Sequence, residues 1–151
     1  MAEIDFFQAI AGEWQGEKIL HDPFSNTEMK SETAFHNALI LNDRFLELSY
    51  SWEYEARKQS GKLTLGYHQD KGTFFADWID TWHMPSDFMQ LKGKPIENGI
   101  ELYGEFEVEG SPNWGWKILM HFASQNLKIT MVNISPEKEA FPAVDIALVR
   151  S

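Results

Sequence analysis

The feature that most constrains this chain is a run of strict two-residue alternation. Residues 100 to 109 read Ile-Glu-Leu-Tyr-Gly-Glu-Phe-Glu-Val-Glu, so that apolar side chains share one face with glutamates mostly on the other. A period of two is that of a β-strand, and a single apolar face indicates that the strand is half-buried. Asn98-Gly99 before the run and residues 110 to 113 after it are typical of tight turns. The pattern therefore predicts a strand between two turns.

Strand-like segments recur along the whole chain. The predicted strands cover residues 15 to 21, 31 to 39, 44 to 54, 62 to 68, 73 to 83, 87 to 92, 100 to 109, 114 to 122, 127 to 134 and 144 to 150. Only residues 3 to 10 have a helical spacing of apolar side chains. About ten short strands joined by tight turns leave no helix to connect parallel strands, so we predict an all-β antiparallel, up-and-down sheet. Because an open sheet of this length would leave two exposed edges, we expect a closed β-barrel with a short N-terminal helix.

Length, charge and cysteine content limit what such a barrel does. The 151 residues predict a single domain over residues 1 to 151. The formal net charge of −10 repels the phosphates of nucleic acids and of anionic membranes, so we expect neither partner. The chain has no Cys, which removes disulfides, thiolate metal ligands and cysteine nucleophiles. Its acidic first residues do not resemble a signal peptide and no apolar stretch is long enough to span a membrane, so we expect a cytoplasmic protein.

Two short motifs lie at opposite ends of the chain. Gly12-x-Trp14 leads from the predicted helix into the first strand, and Arg150 lies near the end of the last strand. Together they resemble motifs of the lipocalin-like barrels of the calycin superfamily, in which the indole of a Gly-x-Trp packs against such an Arg and closes one end of the barrel. The resemblance implies this closure role for Gly12, Trp14 and Arg150, and a guanidinium over an indole face is favourable by about 0.5–2 kcal/mol in any case.

Four further segments carry a closer resemblance, namely residues 42 to 50, 66 to 70, 78 to 81 and 102 to 104. Their patterns resemble those of the lipocalin-like domain-of-unknown-function family 1579. The resemblance spans nearly the whole chain and implies a barrel with an apolar, aromatic-rich interior. It implies no established activity.

The predicted strand at residues 73 to 83 combines large aromatic rings with a carboxylate. By strand parity Trp78, Asp80 and Trp82 share one face. If that face points inward, Asp80 lies between two indoles, where a carboxylate needs hydrogen bonds or has a raised pKa. Asp80 is therefore a candidate ligand anchor or general acid, and the alternative is that it caps a turn or pairs with an Arg. The opposite face is nearly as apolar, so the sequence leaves open which face is inside.

Aromatic residues at inward parity on several strands define a candidate binding site. Large rings with a few polar groups among them, such as those of Tyr50 and Asp80, form either a packed core or the wall of a small-molecule cavity. The sequence leaves both alternatives open. The candidate ligand-binding residues are Tyr50, Trp52, Trp78, Asp80, Trp82, Phe106 and Trp116.

The histidines give no metal-binding pattern. None of the five has His-x-His or His-Glu-x-x-His spacing, so we expect no metal. His68 and His83 lie near strand ends and are candidates for one rim beside Asp80, although the usual burial of His favours a surface or turn position for each. A related class of calycin barrels, the nitrobindin-like proteins, binds haem through an inward His, and His121 is the candidate for that ligand here. Its parity, opposite to that of Met120, directs His121 to solvent, so we expect no haem and no other cofactor.

Three hypotheses about function follow. The leading one is a non-enzymatic module that binds a small apolar or amphipathic molecule in an aromatic-lined cavity, with Asp80 as the polar anchor. The second is an enzyme of unknown reaction that uses Asp80 with His68 or His83, although the chain has no phosphate-binding glycine loop, nucleophile elbow or dinucleotide fingerprint. The third is a structural barrel that acts through homodimerisation.

Overall fold

The computed structural model describes residues 3–151, with side chains from residue 5 onward, as one helix followed by ten strands. These elements are α1 (Glu3–Ile10), β1 (Gly12–Asp22), β2 (Thr27–Ile40), β3 (Phe45–Tyr54), β4 (Arg57–His68), β5 (Thr73–Asp80), β6 (Met84–Ile96), β7 (Gly99–Phe106), β8 (Trp114–Ala123), β9 (Asn126–Ile134) and β10 (Ala140–Arg150). Each strand pairs antiparallel with its neighbours in the chain, and β1 pairs with β10 to close the sheet. The predicted closed, antiparallel, up-and-down β-barrel with a short N-terminal helix is confirmed.

Two predicted strands end earlier than their sequence pattern. β5 stops at Asp80 instead of residue 83, because the Asp80 carboxylate accepts hydrogen bonds from the backbone N–H groups of Trp82 and His83 and turns the chain. β7 stops at Phe106 instead of residue 109, so that Glu107 and Glu109 lie in the following loop and not on a strand face. Most of the other strands are longer than predicted, since ladder pairing extends into polar segments that have no apolar alternation.

Burial along the strands alternates as the pleat requires. On β5 the side chains of Phe74, Trp78 and Asp80 are buried, whereas Phe75 and Asp77 on the other face are exposed. The sequence left open which face of this strand points into the barrel, and the structure shows that it is the face of Trp78 and Asp80. β7 alternates in the same way, with its apolar residues buried and its glutamates directed outward.

One end of the barrel, which we call the floor, is covered by α1. Phe7 of the helix packs against Phe74 of β5, with 5.9 Å between ring centroids. The floor half of the interior is filled by packed side chains. They include Phe35, Leu46, Leu48, Leu65, Leu91, Leu102, Ile118, Met120, Leu127 and Ile146.

The three residues assigned to barrel closure meet at the floor. The Arg150 guanidinium carbon lies 4.3 Å from the centroid of the Trp14 ring. Arg150 also donates hydrogen bonds to the carbonyl of Ala11, at 2.9 Å, and to that of Ala9. Gly12 adopts φ of 118°, a conformation that favours glycine, directly beside this contact.

The opposite end, which we call the mouth, is formed by the turns at residues 23–26, 55–56, 81–83, 107–113 and 135–139. No helix within residues 3–151 has the length and apolar character needed to cross a membrane.

Candidate functional site

A cavity of about 450 Å³ lies at the mouth of the barrel. Its walls come from the mouth ends of the strands and from two turns, 23–26 and 81–83. It is lined by Leu20, His21, Pro23, Phe24, Trp78, Trp82, His83, Met84, Met89, Phe106, Trp116, Asn133 and Ala143. The floor half of the interior is thus a packed core, and the mouth half is a hollow with aromatic walls. The sequence left open whether the inward rings form a core or line a cavity, and each arrangement occurs in one half of the barrel.

Stacked aromatic rings make the deepest part of the cavity wall. The rings of Trp78 and Trp116 are nearly parallel, with 5.3 Å between centroids and 15° between planes. Trp82 and Phe106 also line the cavity, and Phe106 meets Trp116 edge to face at 6.4 Å. Four residues of the predicted binding set therefore come together around one space.

His83 sits at the centre of four indoles. Its ring centroid lies 4.7 Å from that of Trp82, 5.4 Å from Trp116, 5.6 Å from Trp78 and 5.7 Å from Trp52. Burial lowers the pKa of His83 to about 3, with the nearby Lys18 charge acting in the same direction. The imidazole is consequently neutral at neutral pH, and its Nε2 atom is buried without a hydrogen-bond partner.

Asp80 lies behind the cavity wall and does not line the cavity. One carboxylate oxygen accepts the backbone N–H groups of Trp82 and His83, at 2.8 and 2.9 Å. The other accepts the Tyr50 hydroxyl at 2.6 Å and the Trp52 indole N–H at 3.3 Å. The two bonds from the backbone correspond to the turn-capping alternative considered for Asp80, and they fix the turn that carries His83.

Tyr50 links the carboxylate to the aromatic wall. The Trp78 indole N–H donates to the Tyr50 hydroxyl oxygen at 2.8 Å, and that hydroxyl donates to Asp80. Burial and the neighbouring Asp80 charge raise the pKa of Tyr50 well above its usual value. The phenol therefore stays protonated, and its oxygen, held in place by donation to Asp80, accepts the Trp78 indole N–H and orients that ring.

Lys18 is a buried cation that sequence analysis missed. It is 2% exposed, and its Nζ lies 3.2 Å from the centroid of the Trp52 ring. Burial lowers the pKa of Lys18 to about 7, and the Asp80 charge opposes this shift. Strand parity with Trp14 could have placed Lys18 inside the barrel, because both lie on the inward face of β1.

A second carboxylate holds the other turn that borders the cavity. Asp22 accepts the Phe24 backbone N–H at 2.9 Å, the Ser25 hydroxyl at 3.0 Å and the Tyr54 hydroxyl at 2.8 Å. Burial acts to raise the pKa of Asp22, but these hydrogen bonds outweigh it and the net shift is downward. The turn presents Phe24, which is 82% exposed and whose ring centroid lies 6.0 Å from that of Trp82 in an edge-to-face arrangement.

The remaining predicted residues lie elsewhere. Tyr50, Trp52 and Asp80 form the hydrogen-bonded layer behind the wall. His68 is exposed at the floor end of β4, so it is far from Asp80 along the barrel, and His121 is half-buried near the floor end of β8. Besides Lys18, the sequence analysis missed the other residues of the cavity wall, namely Leu20, His21, Pro23, Phe24, Met84, Met89, Asn133 and Ala143.

Within residues 3–151 no three His, Asp or Glu side chains are grouped closely enough to hold a metal ion. The polar atoms at the cavity are instead single donors and acceptors set in aromatic surroundings. Such a site is suited to fixing the orientation of an apolar molecule.

A closed up-and-down barrel with a sealed floor and an aromatic hollow at its mouth belongs to the class of lipocalin-like barrels. More specifically, the chain is a member of the family described as "Protein of unknown function (DUF1579)", which matches residues 1–150. It is also similar in structure to Rv2717c from M. tuberculosis, whose crystal structure superposes with a TM-score of 0.69 over 100% of this chain and 99% of that one. The two sequences are 12% identical, so this likeness shows the fold alone. A search of curated proteins finds no match.

Proposed function

We propose that this protein is a binding module that holds a small apolar or amphipathic molecule in the mouth cavity. The observation that carries this proposal is the contrast between the two halves of the barrel. Side chains fill the floor half, whereas four large aromatic rings at the mouth surround about 450 Å³ of space. Small-molecule sites usually occupy about 300–1,000 Å³ and have mainly apolar walls with a few polar groups.

The fixed geometry of the wall supports the proposal. Trp78 is held by Tyr50, Tyr50 by Asp80, and the His83 turn by the same carboxylate. Rings that are already oriented lose little side-chain entropy when a ligand packs against them. The hydrogen-bonded layer thus favours a preformed cavity over one that forms only around its ligand.

The proposal changes the role of Asp80. Its two oxygens already accept four hydrogen bonds and it does not line the cavity. We therefore assign to Asp80 the positioning of the wall, and the polar contacts of the ligand fall to lining residues such as His83 and Asn133.

A fluorescence titration with N-phenylnaphthylamine, whose emission rises in apolar surroundings, tests the proposal. Ala143 lines the cavity and Ala147 points outward from the same strand, so Ala143→Leu fills the space and Ala147→Leu is its matched control. We expect the wild type and Ala147→Leu to bind the probe equally and Ala143→Leu to bind at least about tenfold more weakly, since it excludes the probe from the wall. A probe that fails to bind the wild type, or that binds Ala143→Leu equally well, would contradict the proposal.

Of the two other hypotheses from the sequence, the enzyme has less support. An enzyme that uses Asp80 needs a free carboxylate oxygen facing the cavity, and both oxygens are engaged behind its wall. A barrel that acts through homodimerisation needs an interface on its outer face. Sedimentation at two protein concentrations distinguishes it from a monomeric binding module.

A further inference from the structure

Two spaces meet at the place where the barrel closes. The ladder between β1 and β10 ends at the pair of Leu20 and Val144. Both strands extend further toward the mouth, β1 to Asp22 and β10 from Ala140. A bulge between Pro142 and Val144 bends β10 at this point. The two strands therefore separate toward the mouth, and the sheet is interrupted there.

A groove of about 450 Å³ lies beside this interruption, and we call it the rim groove. It runs between the turn at residues 23–26 and the mouth ends of β8, β9 and β10. His21, Pro23 and Asn133 line both the rim groove and the mouth cavity, so the two spaces adjoin. A molecule whose apolar part occupies the mouth cavity can thus place its other end in the rim groove.

Side chains that are open to solvent give the rim groove its chemistry. Phe141 is 45% exposed, and its ring centroid lies 6.1 Å from that of the half-buried Trp114. The Glu28 side chain is 62% exposed. His21 binds Asp145 at 3.0 Å but lies 3.9 Å from Glu28, which is beyond hydrogen-bond distance. The Glu28 carboxylate is therefore available to a ligand.

The charges around the two spaces favour a cation. Among the described residues no Lys or Arg lines either space, whereas Asp22 and Glu28 line the rim groove. The turns of the mouth carry five acidic residues and one basic residue, namely Glu55, Glu107, Glu109, Glu137, Glu139 and Lys138. The face of an aromatic ring attracts a cation, and a carboxylate attracts it by charge. An anionic head would meet repulsion here and would have no partner.

We propose that the ligand is a free, single-tailed amphiphile with its apolar body in the mouth cavity and an ammonium head in the rim groove, where Glu28, Phe141 and Trp114 bind the head. The apolar body contacts Trp82 and Phe106, which are half-buried and line the mouth cavity. A cavity of about 450 Å³ is in the range that holds one drug-sized body, which favours a single tail over a two-chain lipid. This inference rests on the proposed function and adds the charge of the ligand and a second compartment of the site.

Calorimetric titrations with three molecules that have linear tails of similar length, kept below the concentrations at which they form micelles, test the inference. Decyltrimethylammonium is a cation, decanol is uncharged and decanoate is an anion. We expect decyltrimethylammonium to bind about tenfold more tightly than decanol, and decanoate to bind most weakly, since only the ammonium head gains the contacts of the rim groove. Transfer out of water alone favours decanol, so a preference for the cation reports those contacts.

Two variants of the rim groove locate the head. Glu28→Gln removes the charge and Phe141→Leu removes an aromatic face, so each should lower the preference for the cation to about threefold and leave the affinity for decanol unchanged. Glu32→Gln, at an exposed position of the same strand as Glu28, and Phe75→Leu, at an exposed position of β5, are the matched controls. Both controls should retain the preference of about tenfold.

The outcomes separate the two proposals. Binding of the cation that is no tighter than that of decanol in the wild type, or tightest binding of decanoate, would overturn the charge of the ligand while leaving a binding cavity in place. A preference that both rim variants retain in full would overturn the position of the head. Failure of all three molecules and of N-phenylnaphthylamine to bind would overturn the binding function itself.

Discussion

Two buried charged side chains, Lys18 and Asp80, and the half-buried His83 set the electrostatics at the cavity wall. Asp80 is 2% exposed and its carboxylate is fully hydrogen-bonded, whereas Lys18 rests on an indole face and His83 is neutral. A buried charge is tolerated only with such partners. The three groups therefore act as one unit that holds the aromatic rings of the wall in place.

Asp80→Asn tests the positioning role assigned to this carboxylate. In this variant an NH₂ group replaces one carboxylate oxygen and faces two of the four hydrogen-bond donors around Asp80, which it cannot accept. We therefore expect the free energy of unfolding to fall by about 3–5 kcal/mol. Asp77→Asn on the exposed face of the same strand is the matched control and should change it by less than about 0.5 kcal/mol. Urea denaturation measures both values, and similar losses in the two variants would contradict the assignment.

Lys18 gives stability a dependence on alkaline pH. Its pKa is about 7 in the folded chain and 10.5 is its ordinary value, so between these values the unfolded chain binds one proton more. The free energy of unfolding therefore rises with pH across this window, and the full penalty for burying the charge is present below pH 7.

Lys18→Met should abolish that rise, because the group that causes it is absent. We expect the variant to gain most relative to the wild type below pH 7, on the order of a few kcal/mol, and the gain to shrink toward pH 10. Urea denaturation at pH 6, 8 and 10 measures the trend, with the exposed Lys62→Met as control. Parallel pH profiles of Lys18→Met and wild type would show that Lys18 has an ordinary pKa.

Alternation predicted which side chains of a strand share a face, but not the positions of side chains beyond a strand end. Parity over residues 73 to 83 puts His83 on the face opposite Trp78, yet the two rings lie 5.6 Å apart inside the barrel. The chain turns after Asp80, so the pleat no longer dictates direction there. Lys18 was missed for another reason, since a charged residue is expected outside unless its partner, here the Trp52 ring, is known.

At the scale of strands and helices, close approach between neighbours shapes the wall as much as burial does. Tyr50 of β3 lies directly opposite Gly61 of β4, and a Cβ added to Gly61 would lie 2.1 Å from the Tyr50 hydroxyl. The absence of a side chain at Gly61 gives the phenol the room it needs to reach Asp80. This contact could not be predicted from the sequence, because it depends on the exact register of the two strands.

Gly61→Ala should therefore displace the Tyr50 ring and break its hydrogen bond to Asp80. We expect a loss of about 1–3 kcal/mol in the free energy of unfolding and weaker binding of N-phenylnaphthylamine, since Trp78 loses its support. The neighbouring exposed Ser60→Ala should change neither quantity. Calorimetric unfolding and probe titration of both variants measure the effect, and a Gly61→Ala protein that matches Ser60→Ala would contradict it.

The floor contact ties β10 to the segment between α1 and β1. Arg150→Ala removes the contact with Trp14 and the hydrogen bonds to Ala9 and Ala11. We expect a loss of about 1–2 kcal/mol, which lowers the Tm by roughly 2–8 °C, and no change in probe affinity because the cavity is at the other end. Arg150→Lys should recover only part of the Tm, since an ammonium lacks the planar fork of donors. An unchanged Tm with weakened probe binding would place Arg150 in the site.

The whole molecule is a barrel with a packed floor half and a hollow mouth half. The sequence predicted the closed barrel but not its division into these two halves. Strand number, antiparallel order and closure follow from alternation and turn signals. Whether inward rings touch one another or surround a space depends on how far apart opposite walls lie, and a linear pattern does not contain that distance. Four members of the predicted binding set line the cavity and three lie one layer behind it, because the same parity serves both layers.

The most direct test of the central claim is a crystal structure of the protein soaked with N-phenylnaphthylamine. The account predicts density for the probe inside the mouth cavity, in contact with the lining side chains of Trp82 and Phe106. A cavity closed by the surrounding Phe24, Met84 and Met89 side chains, with the probe absent or bound only on the outer surface, would contradict it.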